Sequence, residues 1–371
     1  MSDVIVEIRP SAADVDEQWH DLVARASPNV FMDPAALNTV HALKFAKLHV
    51  LLAWAGGRLV GVWALRETRL SPLGPTVLTG PPYEYSFLSA PVVDPVFVDA
   101  VVPAFFAELQ RHPALPKVVR LRYLDGESVA SRAILRSLSR SVQMQTLAER
   151  ARPYFSNDRS PRRRKSTHKS LRNHGNRLSR LGRVEVVNDR EGDAVHAAFE
   201  TFLAMEMASW KGARGTALLC KSADAAFARQ LIATLASDRN ASVALLRVDG
   251  RAIAAQVMLY CGTTAYTWKI AFDAAYRKYS PGALLVDQLT AALFSNGVDA
   301  IESCSPEGGF MEQLMPGRRA TIDVLANVGR RRSLAFSSAA IREAAYTELK
   351  SLRNRLGSVT WTPPRMLRAS R

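Results

Sequence analysis

The spacing of apolar positions changes period several times along the chain, and each change marks an element. Val15, Trp19, Leu22 and Val23 recur at helical spacing and predict a helix over 12–26. Two apolar runs follow, 48–55 and 58–68, with Gly56-Gly57 between them, which reads as a hairpin. Residues 71–95 are rich in Pro and Gly and predict loops with short strands. Helical spacing returns at 97–111, a strand is predicted at 118–124, a helix near 127–140 and a strand near 142–148. Residues 162–181 read as a basic helix with Leu171, Leu178 and Leu181 on one side, weakened by Gly175 and ended by Gly182.

The second half repeats this order. A short strand (183–187) precedes helices at 191–210 and 222–237. Strands at 242–248, 251–261 and 264–272 come next, the first two joined by Asp249-Gly250, a strong hairpin signal. A helix at 282–296, strands at 298–303 and 319–328, and a helical tail from about 334 complete the series. Both halves therefore place an early helix before a hairpin with a Gly-containing turn, which points to a structural duplication. The expected fold is α/β with a mixed sheet. The expected boundaries are 1–152, a linker at 153–161 marked by two prolines, a second domain at 162–330, and a basic helical tail at 331–371.

Composition sharpens this outline. A chain of 371 residues, 48% hydrophobic and 22% charged, is ordinary for about two globular domains, and excludes a disordered, collagenous or disulfide-stapled chain. The net charge of +15 is unevenly spread. Residues 150–183 hold twelve Lys/Arg and one Asp (+11), residues 318–371 hold twelve Lys/Arg and three acids (+9), and the rest sums to −5. Basicity therefore belongs to one central segment and one tail, which suits an anionic partner. Cys220, Cys261 and Cys304 stand far apart, so neither a disulfide framework nor a zinc site is expected, and no metal is assigned. The first residues lack an apolar signal region and no stretch reaches about 18 uninterrupted apolar residues, so the expectation is a cytoplasmic chain without a membrane span.

The chemically informative segment is 277–283, Arg-Lys-Tyr-Ser-Pro-Gly-Ala, between a strand and a helix. Free N–H groups at a helix start, together with the positive end of its dipole, form an anion site, and Arg277 and Lys278 add charge. Gly282 permits close backbone approach. The plainer reading is a helix start with Ser280 as cap and Pro281 in first position. Glu206 lies four residues before Trp210, which on one helix puts both on one face, either as a substrate wall or as a surface Glu beside aromatics. Alternation along 268–273 puts Trp268, Ile270 and Phe272 on one face and Lys269, Ala271 and Asp273 on the other. Lys269 in such apolar surroundings needs an anionic substrate group or an ion pair with Asp273.

The run YTWKIAFDAAYRKYSPGALL after a DGRAIAAQ hairpin resembles the GNAT acetyltransferases, and within them the BioF2-like branch that includes CelD-type cellulose-biosynthesis proteins. The family loop R/Q-x-x-G-x-G/A here reads Arg277-x-x-Ser280-x-Gly282, with Ser for the first Gly. FLAMEMASWKGARGTAL (202–218) and KSLRNHGNRLSRLG (169–182) are similar as well, and the first half resembles one member of the tandem GNAT pair in FemAB-type proteins. The resemblance implies transfer from acetyl-CoA or another acyl-CoA to a small-molecule amine, such as an amino sugar or an exopolysaccharide precursor. It implies that Arg277, Lys278, Tyr279, Ser280, Pro281, Gly282, Ala283 and Leu284 hold the pyrophosphate, and that Ala255, Gln256 and Val257 lie beside the thioester. Glu206, Lys269 and Asp273 become the catalytic candidates, and Trp210, Lys211, Glu302 and Ser303 the substrate-binding ones.

Departures leave other readings open. Many GNAT enzymes have a Tyr near 301–313, where this chain has none; Ser303, Ser305, Glu302 and Glu307 are the polar groups there. Cys304 reads as a buried thiol. The basic run from Arg162 suits tRNA, the donor of FemAB-type relatives, or is a solvated face, and it lacks interleaved aromatics. In the tail, Leu334, Phe336, Ile341 and Leu349 either dock on the core or serve a peripheral contact with an anionic surface. The readings carried forward are an acyl-CoA-dependent N-acyltransferase, an aminoacyl-tRNA-dependent transferase and a non-catalytic scaffold.

Overall fold

A computed structural model describes residues 3–157, 164–305 and 310–358. The first half runs β1 (Val4–Arg9), α1 (Asp16–Val23), α2 (Pro34–Ala42), β2 (Leu48–Ala55), β3 (Arg58–Arg69), β4 (Thr76–Gly80), β5 (Val92–Val93), α3 (Val98–Arg111), β6 (Val118–Asp125), α4 (Val129–Leu138) and β7 (Gln143–Ser156). The second runs α5 (Lys165–Leu178), β8 (Val184–Val187), α6 (Gly192–Met207), α7 (Trp210–Ala213), α8 (Ser222–Ser237), β9 (Ala241–Val248), β10 (Arg251–Cys261) and β11 (Thr264–Phe272). It ends with α9 (Pro281–Ser295), β12 (Ala300–Ser303), α10 (Met311–Leu314), β13 (Gly317–Asn327) and α11 (Leu334–Ser358).

Among the described residues thirteen strands form one sheet in the order β1-β2-β3-β4-β6-β13-β7-β12-β11-β10-β9-β8, with β5 beside β3. The order is palindromic. Each half contributes an antiparallel meander (β1–β4, β8–β11) followed by one parallel pairing, β4 with β6 and β11 with β12. The hairpins β2–β3 and β9–β10 occupy equivalent places, and both turn through two residues of positive φ, Gly56-Gly57 (56° and 79°) and Asp249-Gly250 (47° and 79°). Two positive φ values are what a two-residue turn needs to match the strand twist.

The centre of the palindrome is an exchange. β13 lies between β6 and β7 of the first half, and β7 lies between β13 and β12 of the second. The residues around 153–161 therefore do not form a simple linker: β7 continues to Ser156, and Tyr154–Ser156 pair with β12. Residues 158–161, Arg162 and Arg163 lie outside the described residues, as do Glu307 and 359–371. The first helix is also shorter than its apolar spacing suggests. It covers Asp16–Val23, and the buried Ala12 and Val15 flank a turn before it in which Asp14 has positive φ.

One core runs through both halves. It lies beneath α1–α4, α6 and α8, and Phe45 stacks on Phe227 with ring centroids 4.1 Å apart. A second cluster fills the opposite face of the second half under α5, α9 and α10, and a third lies under α11. Among the described residues no helix is long and apolar enough to cross a membrane.

Charge is buried where the halves join. Glu302 of β12 accepts from Arg152 Nη2 of β7 at 3.1 Å and lies 2.6 Å from Arg319 Nη1 of β13 in an ion pair without hydrogen-bond alignment. Glu302 and Arg152 are almost fully buried. A buried pair contributes little beyond an apolar replacement, but half of one is costly. Glu302→Ala should lower unfolding stability by about 3–5 kcal/mol, and Glu302→Leu with Arg152→Met by clearly less. Urea unfolding of the single and double variants checks this.

Candidate functional site

The segment from β11 into α9 is built by caps and one strained residue. Asp273 accepts from Ala275 N at 2.9 Å and starts a 3-10 turn over Ala274–Tyr279. Ser280 then adopts the left-handed conformation (φ 52°, ψ 51°). Its carbonyl, rather than its hydroxyl, takes the first helical bonds, from Ala283 N at 3.0 Å and Leu284 N at 3.1 Å. Ser280 is thus not a side-chain cap; it is the reversal that turns the chain into α9, a conformation glycine adopts without strain. Pro281 has no N–H, and the first turn of α9 contains no acid, so the positive helix end is left for an anion. A Cβ on Gly282 would sit 3.2 Å from Ile270 Cδ1, so backbone comes close to β11 there.

Beside this turn the sheet opens. β11 pairs with β12 only as far as Thr267↔Ser303, while it remains paired with β10 up to Phe272. The unpaired side of 268–272 borders a cavity of about 770 Å³. Ile270 and Phe272 form its floor, Arg277 and Ser280–Ala283 one wall, Trp210 and Lys211 another, and Phe310 and Leu314 the far side. Trp210 and Phe310 are 58% and 42% exposed, so two aromatic rings stand at its lips.

Glu206 anchors the floor from below. Its side chain is fully buried, Oε1 accepting from Lys211 Nζ at 3.0 Å and Oε2 from Leu218 N at 2.9 Å, with Lys269 Nζ 3.8 Å from Oε1. Lys211 Nζ also donates to Ile270 O at 2.8 Å. An extended residue points N–H and C=O the same way, so the Ile270 amide faces the same gap. Glu206 and Trp210 do not share a helix face, because α6 ends at Met207 and Trp210 opens α7. The return is tight: a Cβ on Gly212 would lie 1.9 Å from Met207 O. Glu206 therefore turns inward while Trp210 turns out.

Lys269 meets the first half of the chain. Register skips Trp268 between Val257↔Lys269 and Met258↔Thr267, so β11 bulges there. The bulge breaks the simple alternation and puts Trp268 and Lys269 on one side, both against Tyr85: Trp268 Nε1 donates to Tyr85 O at 2.8 Å, and Lys269 Nζ lies 4.6 Å from the Tyr85 ring centroid. Burial holds the Lys269 ammonium below the usual lysine range, and Glu206 opposes that shift. Tyr85 OH donates to Asp224 Oδ2 at 2.6 Å. Tyr85 and Asp224 were not legible beforehand, since Tyr85 sits in a Pro-rich loop that gives no periodic signal.

Other expected residues fall elsewhere. Asp273 pairs with Arg251 at 2.8 Å, not with Lys269, and does not line the cavity. Ala255, Gln256 and Val257 are buried in β10, one strand away; Gln256 Nε2 donates to Lys269 O at 3.0 Å and so holds the bulge. Lys278 and Arg177 lie over the Tyr279 ring, and Tyr279 belongs to the core under α5 and α9. Leu284 faces α5, where a groove of about 580 Å³ is lined by Lys165, His168, Lys169 and Arg172. Glu302 is held in the buried ion cluster, and Ser303 Oγ accepts from Ser305 N at 3.0 Å. Burial pushes the Cys304 thiol up to about 12, which removes it as a nucleophile. Among the described residues no cluster could hold a metal ion.

Ser280→Gly should raise stability by about 1 kcal/mol by relieving the left-handed turn while leaving the cavity intact. Thermal unfolding measures it; a loss of stability would show that the Ser280 side chain contributes a contact of its own.

Residues 165–307 match the family model of the GNAT acetyltransferase domain. Among solved structures, FemX is similar at 11% identity over 85% of this chain and 96% of that one, with a TM-score of 0.55. The C-terminal domain of a protein assigned as a lysylphosphatidylglycerol synthetase from Agrobacterium fabrum follows at 15% identity, 90% and 96% coverage and a TM-score of 0.54. L-PGS from Bacillus licheniformis is similar at 14% identity, 90% and 95% coverage and a TM-score of 0.51. No curated protein matches the sequence. These likenesses establish the fold, and with the palindromic sheet they lead to one conclusion: the chain has the two-domain GNAT fold that FemX shares, and its second half is the part that matches the GNAT family model.

Proposed function

We propose that the protein transfers an acyl group from acyl-CoA to the amine of a small acceptor, using one donor site in its second half. The observation that carries this reading is the opening of the sheet between β11 and β12 directly beside the acid-free start of α9. A pyrophosphate fits at Gly282 and Arg277, and an extended pantetheine arm fits along the unpaired edge of 270–272. The Ile270 amide and Lys211 then face the thioester. The acceptor nitrogen attacks the carbonyl carbon, negative charge develops on oxygen and then on sulfur as the C–S bond breaks, and the nitrogen gives up a proton to solvent. Lys211 is placed to stabilise the departing thiolate in the absence of a tyrosine. Both Glu206 oxygens already accept hydrogen bonds, which suits an anchor for Lys211 better than a base.

The first half supports the site without duplicating it. Its helix corresponding to α9 is α3, and there Asp94 fills the preceding turn, paired with Arg25, while Asp99 lies in the first helical turn. Two carboxylates at that end disfavour an anion. Instead the first half lends Tyr85 to the wall behind Lys269. A second reading, an aminoacyl-tRNA donor, is favoured by the cationic groove between α5 and α9.

Titration calorimetry decides between them. Acetyl-CoA should bind the wild type and fail to bind Gly282→Glu, which puts an anion where the pyrophosphate approaches. Lys211→Met should still bind it but lose about 100-fold in kcat once an acceptor is known. A folded wild type that ignores acetyl-CoA but binds tRNA more weakly at higher salt would replace the first reading with the second.

A further inference from the structure

α11 presents two apolar faces. The inner one is fixed: Phe336 and Ala339 are buried against Leu70, Val77, Val118 and Leu325, and Glu343 pairs with Arg120 at 2.7 Å and Arg122 at 3.0 Å. The opposite one carries Leu334, Ile341, Ala345, Leu349 and Leu352, at spacings of seven, four, four and three residues that keep them on one stripe. Leu334 is 90% exposed, Ile341 71%, Leu349 66% and Leu352 52%. Eighteen residues separate the first from the last, about 27 Å of helix. Scattered exposed leucines need no explanation, but four large aliphatic side chains in one row along a docked helix, broken only by small Ser338 and bordered by Glu348, do.

Charge selects what covers it. Arg330, Arg331 and Arg332 are exposed directly before the helix, Arg342 is exposed beside the stripe, and the segment 318–371 carries +9. A second copy would bring two such segments together along an apolar seam. Residues 359–371 hold three arginines and no acid, so folding them over the stripe would also oppose like charges. A nucleic acid would answer the charge but leave aliphatic side chains without stacking partners. Anionic lipid satisfies both: acyl chains accept the stripe and headgroups face the arginines. We propose that the outer face of α11 docks the protein onto an anionic membrane surface.

The test is co-sedimentation of the full chain with vesicles of equal parts phosphatidylglycerol and phosphatidylcholine, and with vesicles of phosphatidylcholine alone. Binding should be at least about tenfold stronger to the anionic vesicles and should fall with added salt. The double variant Ile341→Asp/Leu349→Asp should lose about tenfold or more; both positions are exposed, so its melting temperature should stay that of the wild type. Equal binding to both vesicle types, or full binding by a folded double variant, overturns the proposal. So does a wild-type dimer that the double variant converts to monomer, which would assign the stripe to a second copy.

Discussion

The mismatch in length between β11 and β12 governs the site. β12 has four residues, and its outer side is committed to β7 of the other half through Ala300↔Ser156 and Glu302↔Tyr154. Its pairing with β11 ends at Thr267↔Ser303. The last five residues of β11 are left with hydrogen-bonding groups facing a gap, and unpaired strand edges are where an extended ligand can bind. The cavity is lined by residues of the second half and opens where β12 stops pairing with β11.

The bulge at Trp268 is the second determinant. One extra residue turns Trp268 and Lys269 toward the first half while Ile270 and Phe272 stay on the side of α9. Gln256 supports this by donating to the Lys269 carbonyl. The result is a strand whose two neighbouring stretches face different partners: the aromatic loop of the first half and the anion-ready start of α9. The symmetry of the scaffold is broken by a few side chains, chiefly the acids before and within α3 where α9 has none.

Local pattern made much of this readable. The strands at 241–272 and the Asp249-Gly250 turn follow from alternation and turn chemistry, the helix start at Ser280-Pro281-Gly282 from its small residues, and the pyrophosphate loop from the family resemblance. The exchange of β7 and β13 could not be read, because periodicity tells which face of a strand is buried but not which distant strand lies beside it. Glu206 and Trp210 were separated by a helix break that a four-residue spacing conceals. Glu302 carries no local sign of its partners, Arg152 and Arg319, since their proximity is created by the exchange itself. Tyr85 was hidden for the same reason: its importance depends on a loop reaching across the join.

The palindromic order also bears on synthesis. A ribosome releases β6 and β7 long before β13, and until residue 327 has emerged the two strands that flank it in the finished sheet have no strand between them. The nascent first half thus waits with open sheet edges while the chain from Ser156 to Asn327 is made. Completion of the first half is tied to the synthesis of β13, so a chain that stops before Gly317 lacks the strand that joins β6 to β7.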